Sequence, residues 1–326
     1  MLRDSYQRVH DYLRISITDK CNFSCTYCIP IKNCHFLPNE KLMTVDELFQ
    51  ITRTFVQLGV RKIRLTGGEP LIHPDFLSIV EKLHQLNIEL ALTTNGYYLD
   101  KYISELIKLG LTSINISLDT LESAKFLKIT GKNAFERIYR NIQLLLDKGL
   151  HPKINVVLIK GVNDNEIIQF IEWTKQLPIH VRFIEYMPFE ANQWNRNYVV
   201  ELDEILKVAQ QKGFSLIKLK DHINSTSKSF QVEGFKGTFA VISTVSNPFC
   251  DTCNRLRLTA DGKLRNCLFA QNETDLLTPL RNGLDIVPLI QQNVLMKFKV
   301  RGGLPDFKNP ELNNHLSKRK MIEIGG

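Results

Sequence analysis

Between residues 12 and 186 the chain switches repeatedly from period-two apolar runs to helical patterning, and this alternation limits the folds open to it. Leu13-Arg14-Ile15-Ser16-Ile17-Thr18 alternates strictly, as a strand does. Thr44 and Glu47 are spaced as a capping box, and Val45, Leu48, Phe49, Thr52, Phe55 and Val56 follow at helical spacing until Gly59. Further strands are expected over 61–66, 88–94, 112–118, 153–160 and 180–186, with helices over 75–86, 100–109 and 163–175. Six strands taking turns with helices imply parallel pairing through right-handed crossovers, an α/β fold.

The two faces of these strands differ. One carries Leu13, Ile15, Ile63, Leu65, Leu90, Leu92, Ile114, Ile116, Ile154 and Val156; the other carries Arg14, Ser16, Arg64, Thr66, Glu89, Thr93, Asn115, Ser117, Lys153 and Asn155. A sheet covered by helices on both faces is apolar on both. Helices are therefore expected on one side only, with the polar side lining a wet or ligand-filled interior. A partial, incompletely closed parallel β/α barrel of about six strands meets that need, and such barrels place their chemistry at strand C-termini.

After Met187-Pro188 the pattern breaks, and a soft boundary is expected at Asn224-Ser225-Thr226-Ser227, giving domains 1–225 and 226–326. The net charge of +8 favours an anionic partner. No apolar run reaches the length of a membrane span, and the first residues lack the apolar core of a secretory signal, so a cytoplasmic location is expected. Seven cysteines without a signal favour metal use over disulfides.

Six of those cysteines fall into two triads. Cys21, Cys25 and Cys28 follow the first strand as C-x3-C-x2-C; Cys250, Cys253 and Cys267 form C-x2-C-x13-C. Zinc would want a fourth ligand, which Cys34 or His35 could give the first triad; an iron–sulfur cluster with one open iron needs only three. Arg14, Arg64, Lys153 and Arg182 share the polar face, and Arg255 and Arg257 project to one side of an extended segment. Buried cations gathered without carboxylates call for a bound polyanion.

The first triad, with Tyr27 before its last cysteine and Thr66-Gly67-Gly68-Glu69-Pro70 after the second strand, resembles the radical S-adenosylmethionine (SAM) superfamily. The string Cys253-Asn254-Arg255-Leu256-Arg257-Leu258-Thr259-Ala260-Asp261-Gly262 and the closing Gly325-Gly326 resemble the GTP 3′,8-cyclase family within it, along almost the whole chain. The resemblance implies two [4Fe–4S] clusters, the first on Cys21, Cys25 and Cys28 and the second on Cys250, Cys253 and Cys267 of a C-terminal extension. It implies SAM as the source of a deoxyadenosyl radical, with Tyr27, Gly68, Ser117 and Met187 around it. It places GTP against Arg14, Arg64, Thr93, Lys153, Arg255, Leu256 and Arg257, and gives catalytic roles to Arg255, Arg257, Gly325 and Gly326. The glycine pair at 67–68 is expected to let backbone approach the methionyl group of SAM, and the C-terminal glycines to thread into the basic cavity.

The implied reaction is the first step of molybdenum cofactor synthesis: cyclisation of GTP to (8S)-3′,8-cyclo-7,8-dihydroguanosine 5′-triphosphate, a lyase reaction. Its implied partners are GTP, an external electron donor, a downstream pterin synthase and, for assembly, a second copy of the chain; nucleic acid and membrane are not expected. Cys34 matches no ligand position. A radical SAM enzyme acting on a peptide shares the first motif but has no need of the Arg255/Arg257 pair. A zinc protein binding nucleic acid would explain the charge but not the SAM motifs.

Overall fold

A computed structural model describes residues 1–28, 36–189, 192–307, 316 and 319–325. All six expected strands form: β1 (Tyr12–Ser16), β2 (Lys62–Thr66), β3 (Glu89–Thr94), β4 (Ser113–Ser117), β5 (Lys153–Leu158) and β6 (His180–Glu185). They pair in parallel, in chain order, as the alternation requires. The connecting helices are α1 (Val45–Gln57), α2 (Phe76–His84), α3 (Leu99–Lys108), α4 (Ser123–Thr130), α5 (Phe135–Asp147) and α6 (Ile167–Trp173). The Thr44 capping box is present: its side chain accepts from the Glu47 amide, and Glu47 accepts in return from the Thr44 amide.

The sheet is larger than the expected six strands. Six more follow: β7 (Leu216–Lys218), β8 (Lys228–Val232), β9 (Thr238–Ile242), β10 (Arg255–Leu258), β11 (Lys263–Arg265) and β12 (Thr274–Asp275), in the order β12-β11-β10-β1-β2-β3-β4-β5-β6-β9-β8-β7. β10 joins β1 and β9 joins β6, both in parallel, so the C-terminal half extends both edges of the central run. Residue 225 lies between β7 and β8, which pair with each other.

The apolar face is where the core sits. Leu13, Ile15, Ile63, Leu65, Leu92, Ile116, Ile154 and Val156 are completely buried beneath helices whose inner faces carry Ile51, Phe55, Leu83, Leu106, Ile138 and Leu145. The opposite face is open to a single cavity of about 670 Å³ touched by side chains from all eight parallel strands. Eight strands would span roughly 34 Å if flat, so one cavity of this size meets them all only because the sheet curves around it. Glu89 departs from the expectation: it sits at the strand's entrance, exposed, and pairs with Lys62 rather than facing the cavity. Among the described residues no helix is long and apolar enough to cross a membrane.

Candidate active site

The first cysteine triad sits on the loop leaving β1. The thiols of Cys21, Cys25 and Cys28 all reach the cavity wall. Burial pushes Cys21 up to about 12. Burial, then Asp119 and the two neighbouring thiols, push Cys25 well above its ordinary value. Thiols held protonated, as at Cys21 and Cys25, are the form that a cationic cluster core would deprotonate on binding, and an all-sulfur donor set is what such a cluster takes. No three His, Cys, Asp or Glu side chains among the described residues are gathered as for a single metal ion.

Gly67 and Gly68 also meet a constraint the expectation did not name. A Cβ on Gly68 would lie 2.2 Å from the Lys20 carbonyl oxygen, and one on Gly67 2.6 Å from that of Thr18. The Gly68 and Glu69 amides donate to those same two carbonyls at 2.8 Å. The glycines therefore let the 66–69 turn lie directly against the cysteine loop and fix its position, whatever else approaches them. Glu69 is buried and accepts from Thr94 Oγ1 at 2.7 Å and the Asn95 amide at 2.6 Å; burial holds it up to about 7. Tyr27 donates to Asp119 at 2.7 Å from between two of the cysteines. Gly68, Ser117 and Met187 line the same cavity as Tyr27.

Further along the cavity stand the cations. Arg14, Arg64, Lys153, Arg182, Arg255 and Arg257 all line it, as does Thr93. Register explains the convergence: β10 lays Arg257 beside Arg14 and Arg255 beside Tyr12, and β2 lays Arg64 on the other side of Arg14. Burial, then repulsion from Arg182 and Arg64, pull Lys153 down to about 8. Burial and Arg64 likewise pull Arg182 down to about 9. Tyr12 would be raised by burial alone, yet the guanidiniums of Arg64 and Arg14 carry it down to about 7. Beside these cations the acid Tyr12 is depressed along with the bases, so this part of the cavity is strongly electropositive, as a polyanion site must be. Leu256 is the exception among the expected substrate residues: its side chain is fully buried in the core beside Leu13, leaving only its backbone for any contact.

The second triad begins beside the start of β1, where the Tyr12 amide donates to the Asn254 carbonyl, whereas the first follows its end. Cys250, Cys253 and Cys267 line the same cavity as the first. Burial raises Cys250, but at Cys253 the charges of Lys297 and Arg255 outweigh burial and hold the thiol below its ordinary value. The tail reaches the cavity as well, where Met321 and Ile322 line it. Arg257 donates to the carbonyls of Ile324 and Gly325, and a Cβ on Gly325 would meet Thr66 Cγ2 at 2.7 Å. Gly326, Cys34 and His35 lie outside the described residues.

Several lining residues were not anticipated. Tyr12, Lys62, His180 and the 222–229 segment also face the cavity. Lys62 and His180 were readable, since each lies two positions before an arginine already placed on that face. The 222–229 segment carries no periodic signal.

Two family models match the chain, Radical SAM superfamily over residues 15–174 and Molybdenum Cofactor Synthesis C over 179–299. GTP 3′,8-cyclase of Listeria welshimeri is 40% identical over 100% of this chain and 99% of its own. Molybdenum cofactor biosynthesis protein 1 of mouse is 42% identical over 99% of this chain but 51% of its own length, so the chain spans about half of that relative. Among solved structures, Streptococcus suis SuiB bound to S-adenosylmethionine aligns with a TM-score of 0.57 over 83% of this chain and 65% of that one, at 16% identity, a likeness of fold.

Proposed function

We propose that this chain, which belongs to the GTP 3′,8-cyclase family of the radical SAM superfamily, converts GTP to (8S)-3′,8-cyclo-7,8-dihydroguanosine 5′-triphosphate, the first step of molybdenum cofactor synthesis. One observation carries the reading: a single cavity is lined by two cysteine triads and by seven lysine and arginine side chains of the strands. That arrangement brings a radical source, a polyanion and a second sulfur-ligand site within one enclosure.

In this reading Cys21, Cys25 and Cys28 hold one [4Fe–4S] cluster and Cys250, Cys253 and Cys267 another, the first in residues 1–225 and the second in 226–326. When bound, the first cluster with SAM supplies the radical that takes a hydrogen atom from the substrate ribose. Everything else falls to the chain. Tyr27, Gly68, Ser117 and Met187 face SAM, with Tyr27 held by Asp119. Arg64, Lys153 and Arg182 neutralise the triphosphate, while Arg14, Thr93 and the backbone of Leu256 fix the nucleoside. Arg255 and Arg257 flank the base, and Arg257 also seats the tail through its bonds to Ile324 and Gly325. The sheet serves as an incomplete barrel that excludes water around the reacting carbon. An external one-electron donor, delivery of product to a pterin synthase, a homodimeric assembly and a cytoplasmic setting complete the proposal.

Anaerobic reconstitution followed by iron and sulfide analysis tests the ligand assignment. Iron sufficient for two four-iron clusters, halved in Cys25→Ala, is expected; bound zinc would overturn it. With SAM present, deoxyadenosine release that depends on GTP is expected. Release that responds instead to added peptide and not to GTP would overturn the substrate assignment.

A further inference from the structure

The first eleven residues stand outside the sheet, yet they carry buried charge. A short hairpin, closed by the Arg3–Val9 bridge, folds the Asp4 carboxylate inward. Asp4 is 1% exposed and accepts from Arg8 Nε at 2.6 Å, from the amides of Tyr6 and Arg8 at 2.9 and 3.0 Å, and lies 3.0 Å from His10 Nε2. So anchored, Arg8 donates to three carbonyls: Cys250 at 2.7 Å, and Phe298 and Lys299 at 2.8 Å each. One guanidinium thus ties the second cysteine loop to the 297–301 segment.

That segment turns its own donors on the cysteines. Lys297 is 4% exposed, with Nζ 2.8 Å from the Arg255 carbonyl and 3.7 Å from Cys253 Sγ. The Arg301 amide lies 3.4 Å from Cys250 Sγ. Lys297 does not line the cavity, so it has no route to the triphosphate. No carboxylate is within ion-pair distance of it among the described ion pairs, and its neighbour His10 is held neutral, down to about 4, by burial and by Lys297 itself. A buried ammonium beside a sulfur ligand is costly unless something anionic settles there.

Resting on the two-cluster reading above, we propose that Lys297 is a positioning residue for electron transfer: braced by Arg8 and the Arg255 carbonyl, its ammonium raises the reduction potential of the cluster held by Cys250, Cys253 and Cys267. The physical basis is simple. One electron entering the cluster adds one negative charge, and a cation at hydrogen-bond distance from a ligand sulfur stabilises that state more than the oxidised one. Arg8 and Arg255 add to the same field, but only Lys297 places its charge on a sulfur without facing the substrate.

The test is a redox titration of the reconstituted holoenzyme. Dithionite is oxidised to sulfite as it delivers one electron to each cluster, and paramagnetic resonance follows the reduced forms. The second cluster's signal is identified by its response to GTP and the first by its response to SAM. Lys297→Gln, which keeps the length but loses the charge, should lower the second cluster's reduction equilibrium constant at least tenfold, a shift of about 59 mV to more negative potential. The first cluster should not move, and Lys297→Arg should stay near wild type. Loss of the second cluster in Lys297→Gln with its retention in Lys297→Arg would equally support the need for charge. An unmoved potential in Lys297→Gln, equal shifts in both variants, or loss of the cluster from both would overturn the proposal. Wild-type protein that assembles only the first cluster would overturn the two-cluster reading with it, whereas two clusters with an unmoved Lys297→Gln would overturn the role of Lys297 alone.

Discussion

Replacing Gly325 with alanine should unseat the C-terminal tail while leaving the rest of the molecule folded. Gly325 has φ +74°, and an added Cβ would lie 2.7 Å from Thr66 Cγ2 and 3.3 Å from Ser16 Cβ. Neither neighbour can yield, because Ser16 and Thr66 are paired with each other in the central sheet. The left-handed backbone costs an alanine about 1–2 kcal/mol, and forcing a methyl into a filled site costs about 1–3 kcal/mol more. Against roughly 2–5 kcal/mol stands the burial of Ile322 and Ile324, each worth about 1.5–3 kcal/mol. The two sums are comparable, so the undocked tail becomes well populated. Even the lower bound of about 2 kcal/mol implies roughly 30-fold faster amide exchange across Met321–Ile324. Hydrogen-exchange mass spectrometry reads this directly. Iron content and thermal midpoint should hold, because Ile324 packs in a small satellite cluster with Phe189, Val245 and Phe269 rather than in the main core. Cyclisation should fall with tail docking. Wild-type protection of the tail in Gly325→Ala would refute the reasoning.

Three further outcomes follow from the same structure. Lys153, about 8 in the folded chain against an ordinary 10.5, binds no proton between those values while the unfolded chain does, so stability without ligand should rise with pH across that window; urea midpoints should show the rise, and a smaller one in Lys153→Met, where Tyr12 and Arg182 still contribute in the same direction. Tripolyphosphate, a probe for the basic cavity, should bind more weakly as pH climbs through about 8, and calorimetry that finds no such weakening would contradict the assigned role of Lys153. Phe183→Ala, which removes a fully buried ring lying 6.1 Å from Phe170 and 6.3 Å from Phe239, should cost about 3–5 kcal/mol in urea denaturation.

Much of this site was legible because period-two alternation assigns faces without any knowledge of neighbours. Arg14, Arg64, Thr93, Ser117 and Lys153 could be put on one wall for that reason, and they line one cavity. The Arg255-Leu256-Arg257-Leu258 run declared its own faces in the same way. Its place beside β1 was not legible, because that pairing joins residues about 240 positions apart and depends on the whole intervening chain folding back. The helix α5 was readable, with Phe135, Ile138, Ile142 and Leu145 at helical spacing, yet it was not among the expected elements. The glycine pair at 67–68 shows a different limit. Sequence identifies a place where a side chain is forbidden, but only the folded chain reveals that the forbidding neighbour is the cysteine loop itself. The charges behind the second triad were hidden most deeply, since Asp4, Arg8 and Lys297 are scattered across the chain and belong to no motif.

Reconstituted protein given SAM and GTP carrying deuterium at ribose C3′ offers the most direct test. The account predicts that deuterium moves from the nucleotide into deoxyadenosine while a cyclised triphosphate isomeric with GTP, apart from the lost label, accumulates. Deoxyadenosine that forms in the presence of GTP but carries no deuterium would contradict it.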